Sequence, residues 1–264
     1  MNFHDLFVKK PVIACIHLLP LPGSPRYEGS MERIIETALK EADIFVKNRC
    51  DGLLVENFRD NPFYPGALPP ETVAALTTLT CEIVNQVKIP VGVNALRNDA
   101  HSALAVAVAS GANFIRVNIH TGAAVTDQGI IEGKACDTLR LRSNLKSRVL
   151  IFADVAVKHA SPLVPRPLGL EVAELTERGL ADAIIITGDG TGREADIGHL
   201  KIAKQNTSLP VLIGSGLTPD NVSRYYPYFD GMIIGSYFKK DGKADNKVEA
   251  LRVRKFIKRI NDLV

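Results

Sequence analysis

Short apolar runs recur eight times along the chain, at residues 12–17, 52–57, 91–94, 114–118, 149–154, 183–187, 211–213 and 231–234. Runs this short read as strands buried on both faces, as in a parallel sheet. Between most of them the apolar period becomes that of a helix. Ile34, Ile35, Ala38, Ala42, Phe45 and Val46 mark one face after the first run. Val73, Leu76, Ile83, Val84 and Val87 mark another after the second, with Pro70 at its start. The same reading predicts helices over 100–110, 134–145, 168–178, 197–205 and 247–262, with Gly111 and Gly179 where C-terminal caps fall.

Eight strand–helix units with no dividing Gly/Ser/Pro linker predict one closed (β/α)8 TIM barrel over residues 1–264. The competing doubly wound sheet needs a glycine fingerprint after its first strand. The residues there are Leu18-Leu19-Pro20-Leu21-Pro22-Gly23, too rigid and bulky to cradle a pyrophosphate. The longest loops, about 59–68, 119–133 and 156–167, follow strands two, four and five and would crowd one rim.

Composition refines this picture at a few points. Hydrophobic residues make up 46% of the chain, aromatics 6%, and tryptophan is absent, which suits a core of Val, Ile, Leu and Ala. The 32 basic and 29 acidic residues are interspersed, and a net charge of +3 gives no basic patch for nucleic acid. Cys15, Cys50, Cys81 and Cys136 include no Cys-x-x-Cys pair, so buried thiols are expected. With no signal-like N-terminus and no apolar span, a soluble, cytoplasmic protein is expected. Attachment to a membrane surface through a partner stays open, as does homo-oligomerisation. The basic C-terminal helix, with Lys247, Arg252, Arg254, Lys255, Lys258 and Arg259 among Val248, Leu251, Ile257 and Ile260, reads as a solvated outer face.

Candidate chemistry starts from two glycine turns at the ends of the last two strands, Gly214-Ser215-Gly216 and Gly235-Ser236. Small residues there let amide N–H groups converge on an anion, and a barrel commonly holds phosphate after its seventh and eighth strands. Thr218 and Pro219 are placed as N-cap and first residue of a helix aimed at the same spot. Ordinary turn chemistry is the bland alternative. Polar residues ending otherwise apolar strands complete the set: His17, Glu56, Asn57, Asn94, Arg116, Asn118, Asp154 and Thr187, with Arg97, Asp99, Asp127, Lys158 and His159 beside them. Asp154 and Glu56 are the candidate acid/base pair, on the expectation that desolvation raises their pKa values. Lys158 is the candidate cation for a developing enolate or phosphate charge. An internal ion-pair network of Asp154, Lys158 and Arg116 that only fixes loops weighs about equally. His17, Asn94, Arg116, Asn118, Thr187 and Thr191 are the candidate substrate contacts.

Gly188-Asp189-Gly190-Thr191-Gly192 lacks the Gly-Lys-Ser/Thr ending of a P-loop and reads as a polar rim element. Glu56, Asp154, Asn94 and Asn118 offer oxygens to Mg²⁺ only weakly, and His17 with His120 or His159 matches no zinc spacing. No metal is assigned, and nothing names a cofactor.

Several long motifs then stand in order: His17-Leu18-Leu19-Pro20-Leu21-Pro22-Gly23-Ser24-Pro25, Glu56-Asn57-Phe58, Gly92-Val93-Asn94-Ala95-Leu96-Arg97-Asn98-Asp99 and Phe114-Ile115-Arg116-Val117-Asn118. Asp127-Gln128-Gly129, Ala153-Asp154-Val155-Ala156-Val157-Lys158-His159, Thr187-Gly188-Asp189-Gly190-Thr191-Gly192, Gly214-Ser215-Gly216 and Gly235-Ser236 follow, the last with Phe238-Lys239-Lys240-Asp241-Gly242. Over nearly its whole length the chain resembles the BtpA family. That resemblance implies a barrel of the ribulose-phosphate-binding type. The family takes its name from a protein needed for photosystem I biogenesis, yet similar chains occur in organisms without photosynthesis, where no reaction is assigned. Two functions are therefore expected from different classes. One is an enzyme on a phosphorylated sugar or related small phosphoester, of isomerase, epimerase or lyase type. The other is a non-catalytic factor for assembly or stability of photosystem I or another membrane complex.

Overall fold

Alternation within each apolar run decides the architecture. The computed structural model describes residues 1–155, 157–188 and 190–264; Ala156 and Asp189, both in loops singled out above, lie outside them. The strands are β1 (Val12–His17), β2 (Gly52–Glu56), β3 (Val91–Asn94), β4 (Phe114–Val117), β5 (Ala123–Thr126), β6 (Gly129–Glu132), β7 (Leu150–Val155), β8 (Ala160–Pro162), β9 (Ala183–Ile186), β10 (Val211–Ile213) and β11 (Gly231–Ile234). The helices are α1 (Phe3–Leu6), α2 (Met31–Lys47), α3 (Pro70–Gln86), α4 (Ala100–Ser110), α5 (Ala135–Asn144), α6 (Leu168–Glu177), α7 (Ile197–Asn206), α8 (Val222–Tyr225) and α9 (Ala250–Asn261). A closed parallel barrel runs β1-β11-β10-β9-β7-β4-β3-β2 and returns to β1, as expected.

Odd and even positions of each strand face different cores. Ala14, Ile16, Leu53, Val55, Val93, Ile115, Val117, Ile151 and Ile184 pack outward with the helices. Ile13, Cys15, Leu54, Phe114, Phe152, Ile185, Leu212 and Ile233 fill the barrel, closed below by Phe3 and Phe7 of the α1 region. Phe114 and Phe152 stack with centroids 4.5 Å apart, and Gly92 faces them because a Cβ there would sit 2.1 Å from Phe114. Period two then carries the inward series up to His17, Glu56, Asn94, Arg116, Asp154 and Thr187. All six are buried.

Four side chains staple the rim. Asn57 bonds Leu96 and Asp60, Asp60 accepts from the Leu21 amide, Asn98 pairs with Ile119 in both directions, and Asp99 joins Leu68 to the start of α4.

Several expectations need correction. The loops at 119–133 and 156–167 hold a small antiparallel sheet, β6-β5-β8, built on a turn with Gly129 at φ +98°. Gly111 caps α4 in the left-handed region, but after α6 that conformation falls to Leu180. Gly179 is needed for space, since a Cβ would lie 2.8 Å from the Leu175 carbonyl oxygen. The expected helix at Thr218-Pro219 begins instead at Val222 and makes one turn, with Thr218 and Asn221 bonding each other in the bend before it. Leu251 of α9 is 67% exposed, and the buried stripe is Val253, Phe256, Ile257 and Ile260. Cys136 is exposed, unlike Cys15 and Cys50. Among the described residues no helix is long and apolar enough to cross a membrane.

The turn after β11 is anchored by an ion pair the sequence did not suggest. Lys239 Nζ, fully buried, donates to Glu41 Oε2 of α2 at 2.7 Å. Breaking one half leaves an uncompensated buried charge, which costs about 3–5 kcal/mol, whereas replacing both with apolar groups is close to neutral. Glu41→Gln should therefore lower unfolding free energy in urea by that order, and Glu41→Leu/Lys239→Met should recover most of it. A loss below about 1 kcal/mol, typical of a surface pair, would contradict the anchoring role.

Candidate functional site

Barrel closure brings both glycine bends to one cavity of about 270 Å³. It is lined by Gly214, Ser215, Gly216, Gly235 and Ser236 together with His17, Glu56, Arg116, Lys158 and Thr191. Gly216 sits at φ +78° with the Glu194 backbone 2.3 Å from where a Cβ would be, so the bend accepts only glycine. The amide of Gly214 is spent on Ile186, and the Ser215 hydroxyl is spent too: it accepts from the Gly188 amide at 2.8 Å and donates to the Arg193 carbonyl at 3.0 Å. Ser215 thus ties the glycine-rich rim loop to the bend. That leaves the amides of Ser215, Gly216, Gly235 and Ser236, four residues that line the cavity, donating to no protein acceptor among the described residues. Gly192 brings the rim loop over the second bend, its Cβ direction ending 3.0 Å from Ser236 Oγ.

A second cavity of about 550 Å³ adjoins the first and shares Glu56, Arg116, Lys158 and Thr191 with it. Asn94, Arg97, Asn118, Asp127, His159 and the ring of Phe58 are among its other walls. Arg97 Nε and Asn118 Oδ1 are buried there without a partner, a cost that a ligand with hydroxyl groups would remove.

Arg116 organises the charges. Its Nε and Nη2 reach Asp154 at 3.1–3.3 Å, and Nη1 reaches Glu56 Oε1 at 3.4 Å. Burial would strip its charge, but Asp154 and Glu56 outweigh that and raise its pKa. Asp154 also accepts from Asn118, so both its oxygens are engaged; it lines neither of these two cavities but a third, of about 310 Å³, shared with Asn118 and Val157 beneath the rim sheet. Its hydrogen bonds hold the Arg116 guanidinium in place. At Glu56 burial works upward, yet Arg116 leads a set of opposing groups, Lys158 and the Asn94 hydrogen bond among them, that hold the carboxyl below its ordinary range. The expectation of a raised acid/base carboxyl fails there, because the cation beside it wins over desolvation.

Lys158 has the opposite balance. Burial lowers its amine, with Arg116 adding to the effect, and among the described residues its Nζ pairs with no carboxylate. Its peptide is clamped by Thr187 Oγ1, which accepts its N–H at 3.2 Å, and by Arg97, which donates to its carbonyl at 2.7 Å. So Thr187 acts through the backbone of Lys158. His159, lowered by burial and by Lys158, bonds the hydroxyl of Thr191 at 3.0 Å and accepts from its amide.

His17 stacks on Phe58 at 4.1 Å, and burial with Lys239 nearby pushes its pKa down to about 3, leaving it neutral. Cys15, which the motif reading passed over, lies just beneath it, its thiol pushed up by burial. Period two from His17 could have found it. Arg252, assigned above to a solvated face, instead lines the glycine-bend cavity, donates to the Tyr237 carbonyl at 2.6 Å and packs over that ring.

Comparisons with known proteins agree with the motifs. The family model described as "BtpA family" matches residues 8–262. An uncharacterised protein of Methanocaldococcus jannaschii is 43% identical, covering 98% of both chains. The photosystem I biogenesis protein BtpA of Synechocystis is 44% identical over 97% of this chain and 89% of its own. A mitochondrial protein of Caenorhabditis elegans is 34% identical over 96% and 93%. Among solved structures, N-(5'-phosphoribosyl)anthranilate isomerase from Pyrococcus furiosus superposes with a TM-score of 0.58 at 15% identity, covering 96% of this chain and 99% of its own. Thiamine phosphate pyrophosphorylase from the same organism gives 0.61 at 11%, with 97% and 98% covered. At such identities these last two speak for the barrel alone. The family match and the relatives each span nearly the whole sequence, and on that ground the chain belongs to the BtpA family.

Proposed function

We propose that this barrel is an enzyme acting on a phosphorylated sugar or a related small phosphoester, in an isomerisation, epimerisation or aldol-type cleavage. The observation that carries this reading is the shared wall. Uncommitted backbone amides line one cavity, unpartnered polar atoms line the next, and Glu56, Arg116, Lys158 and Thr191 stand between them. A phosphate in the glycine bends would place the sugar hydroxyls against Asn94, Asn118 and Arg97. Lys158 is then the group with both access and a labile proton. It protonates or stabilises the oxygen of an enolate, while the Arg116–Asp154–Glu56 array fixes the surrounding charge. The solved barrels of phosphoester enzymes named above fit this reading.

One observation favours the second reading, a non-catalytic assembly or stability factor, the reading that the name of the Synechocystis relative, photosystem I biogenesis protein BtpA, brings to mind. Val125 and Ile130, cross-strand partners on the rim sheet, are 45% and 58% exposed, and Leu163 and Val164 beside them 55% and 66%. Such an apolar rim suits a protein partner.

Two substitutions separate the readings. In a screen of phosphorylated sugars, Lys158→Gln should cost at least about 100-fold in turnover, the low end for a lost proton-transfer group, and Ile130→Asp should cost nothing. No turnover of any sugar phosphate, with Ile130→Asp alone abolishing complementation of a deletion strain, would replace the enzyme with the assembly factor.

The lowered amine of Lys158 gives a pH prediction. Its uncharged, reactive form appears at lower pH than that of an ordinary solvated lysine amine. Labelling with acetic anhydride across pH should show Lys158 reacting at the lower midpoint, with inorganic phosphate protecting it. Equal midpoints, or no protection, would count against its role.

A further inference from the structure

The geometry points to a three-ligand site for a divalent metal of the zinc class, formed by Cys15 Sγ, His17 Nε2 and Glu56 Oε2 at the floor of the glycine-bend cavity. Ligand atoms from these three side chains lie within 4.8 Å of one another, and all three residues line that cavity. Cys15 and His17 are two apart on β1 and so share the inward face, while His17 and Glu56 are register partners across β1 and β2.

Hydrogen bonding fixes which atoms are left over. His17 Nδ1 lies 3.1 Å from the Ala244 carbonyl oxygen. A carbonyl only accepts, so Nδ1 carries a proton and the neutral ring presents a lone pair at Nε2. That nitrogen faces Glu56 Oε2 at 3.6 Å. On the carboxylate, Oε1 accepts from Asn94 at 2.9 Å and from Arg116 at 3.4 Å, whereas Oε2 accepts no hydrogen bond among the described residues. Two lone pairs thus confront each other, and something positive belongs between them.

The imidazole is held against turning away. Phe58 covers one face, and Gly235 closes on the edge so tightly that a Cβ there would be 3.1 Å from Nε2. A ligating histidine oriented by a backbone carbonyl through its other nitrogen, and a ligating carboxylate held by further donors, are the supports that metal sites use. The donor set of one sulfur, one nitrogen and one oxygen suits zinc, and three protein ligands leave a fourth position toward the cavity. Binding balances simply: the Cys15 thiol forms its sulfur–metal bond and releases one proton to solvent, while His17 enters neutral and Glu56 ionised. The competing arrangement is a doubly protonated His17 paired with Glu56 across the same 3.6 Å, which would leave Nε2 no lone pair for a metal. Metal binding here does not require the phosphoester reading, since a non-catalytic barrel could hold the ion equally well.

The test uses the full chain, stripped with a chelator and titrated with Co²⁺. One equivalent should produce a thiolate-to-cobalt charge-transfer band. Cys15→Ser should abolish it, Cys81→Ser and Cys136→Ser should keep it, and Glu56→Gln should weaken binding at least tenfold. Absence of the band, its survival in Cys15→Ser, or its loss in Cys136→Ser would overturn the site. Should Cys15→Ser fail to fold, X-ray absorption on the zinc-loaded wild-type chain decides. One sulfur with nitrogen and oxygen neighbours supports the site, and a shell without sulfur refutes it. Loss of metal binding and loss of turnover are read separately, so either reading can fail alone.

Discussion

A guanidinium buried inside a parallel barrel has to be neutralised where it stands, and Arg116 is 2% exposed. Asp154 and Glu56 do this, and their commitment to Arg116 decides what the remaining groups can be. Asp154 has no oxygen to spare. Glu56 stays ionised with one oxygen fixed and the other turned to His17. Lys158, which pairs with no carboxylate among the described residues, keeps its ammonium in the mouth, where burial makes its proton easier to lose. One ion-pair array therefore divides the polar residues of the mouth into those that hold and those that can react.

Beneath that array the barrel is filled as a hydrophobic core. Phe114 and Phe152 stack over Gly92, and Phe3 and Phe7 seal the base. Above it the loops are tied to one another through buried Asn and Asp side chains, and the last bend is tied to α2 through Lys239 and Glu41. Rigid floor and stapled rim together fix the glycine bends, whose glycines have no side chains with which to hold a shape of their own.

Most of the barrel was legible because strand burial and strand parity are local properties. His17, Glu56, Asn94 and Arg116 could be read as mouth residues from their place at the end of apolar runs, and the structure puts them there, with Asp154 buried behind Arg116. What each does was not legible, because the partners lie far apart in sequence. The Ser215 hydroxyl looks available to an anion until Arg193 and Gly188 claim it, and only its amide is left uncommitted among the described residues. Arg252 follows the helical pattern of a solvated face, yet it turns to the mouth over Tyr237. The rim sheet escaped notice because its third strand, β8, is three residues long and comes from a different loop than β5 and β6. Glu41 and Lys239, separated by 198 positions, gave no signal at all.

In the proposed reading, backbone donors at the two bends bind one anion together. Amide proton and nitrogen resonances of the isotopically labelled chain, followed during titration with glycerol phosphate, test it most directly. Gly216, Gly235 and Ser236 should shift along one saturation curve, with Gly52, packed against Phe7 at the closed end of the barrel, unmoved. Shifts confined to surface lysines, or separate curves for the two bends, would contradict the account.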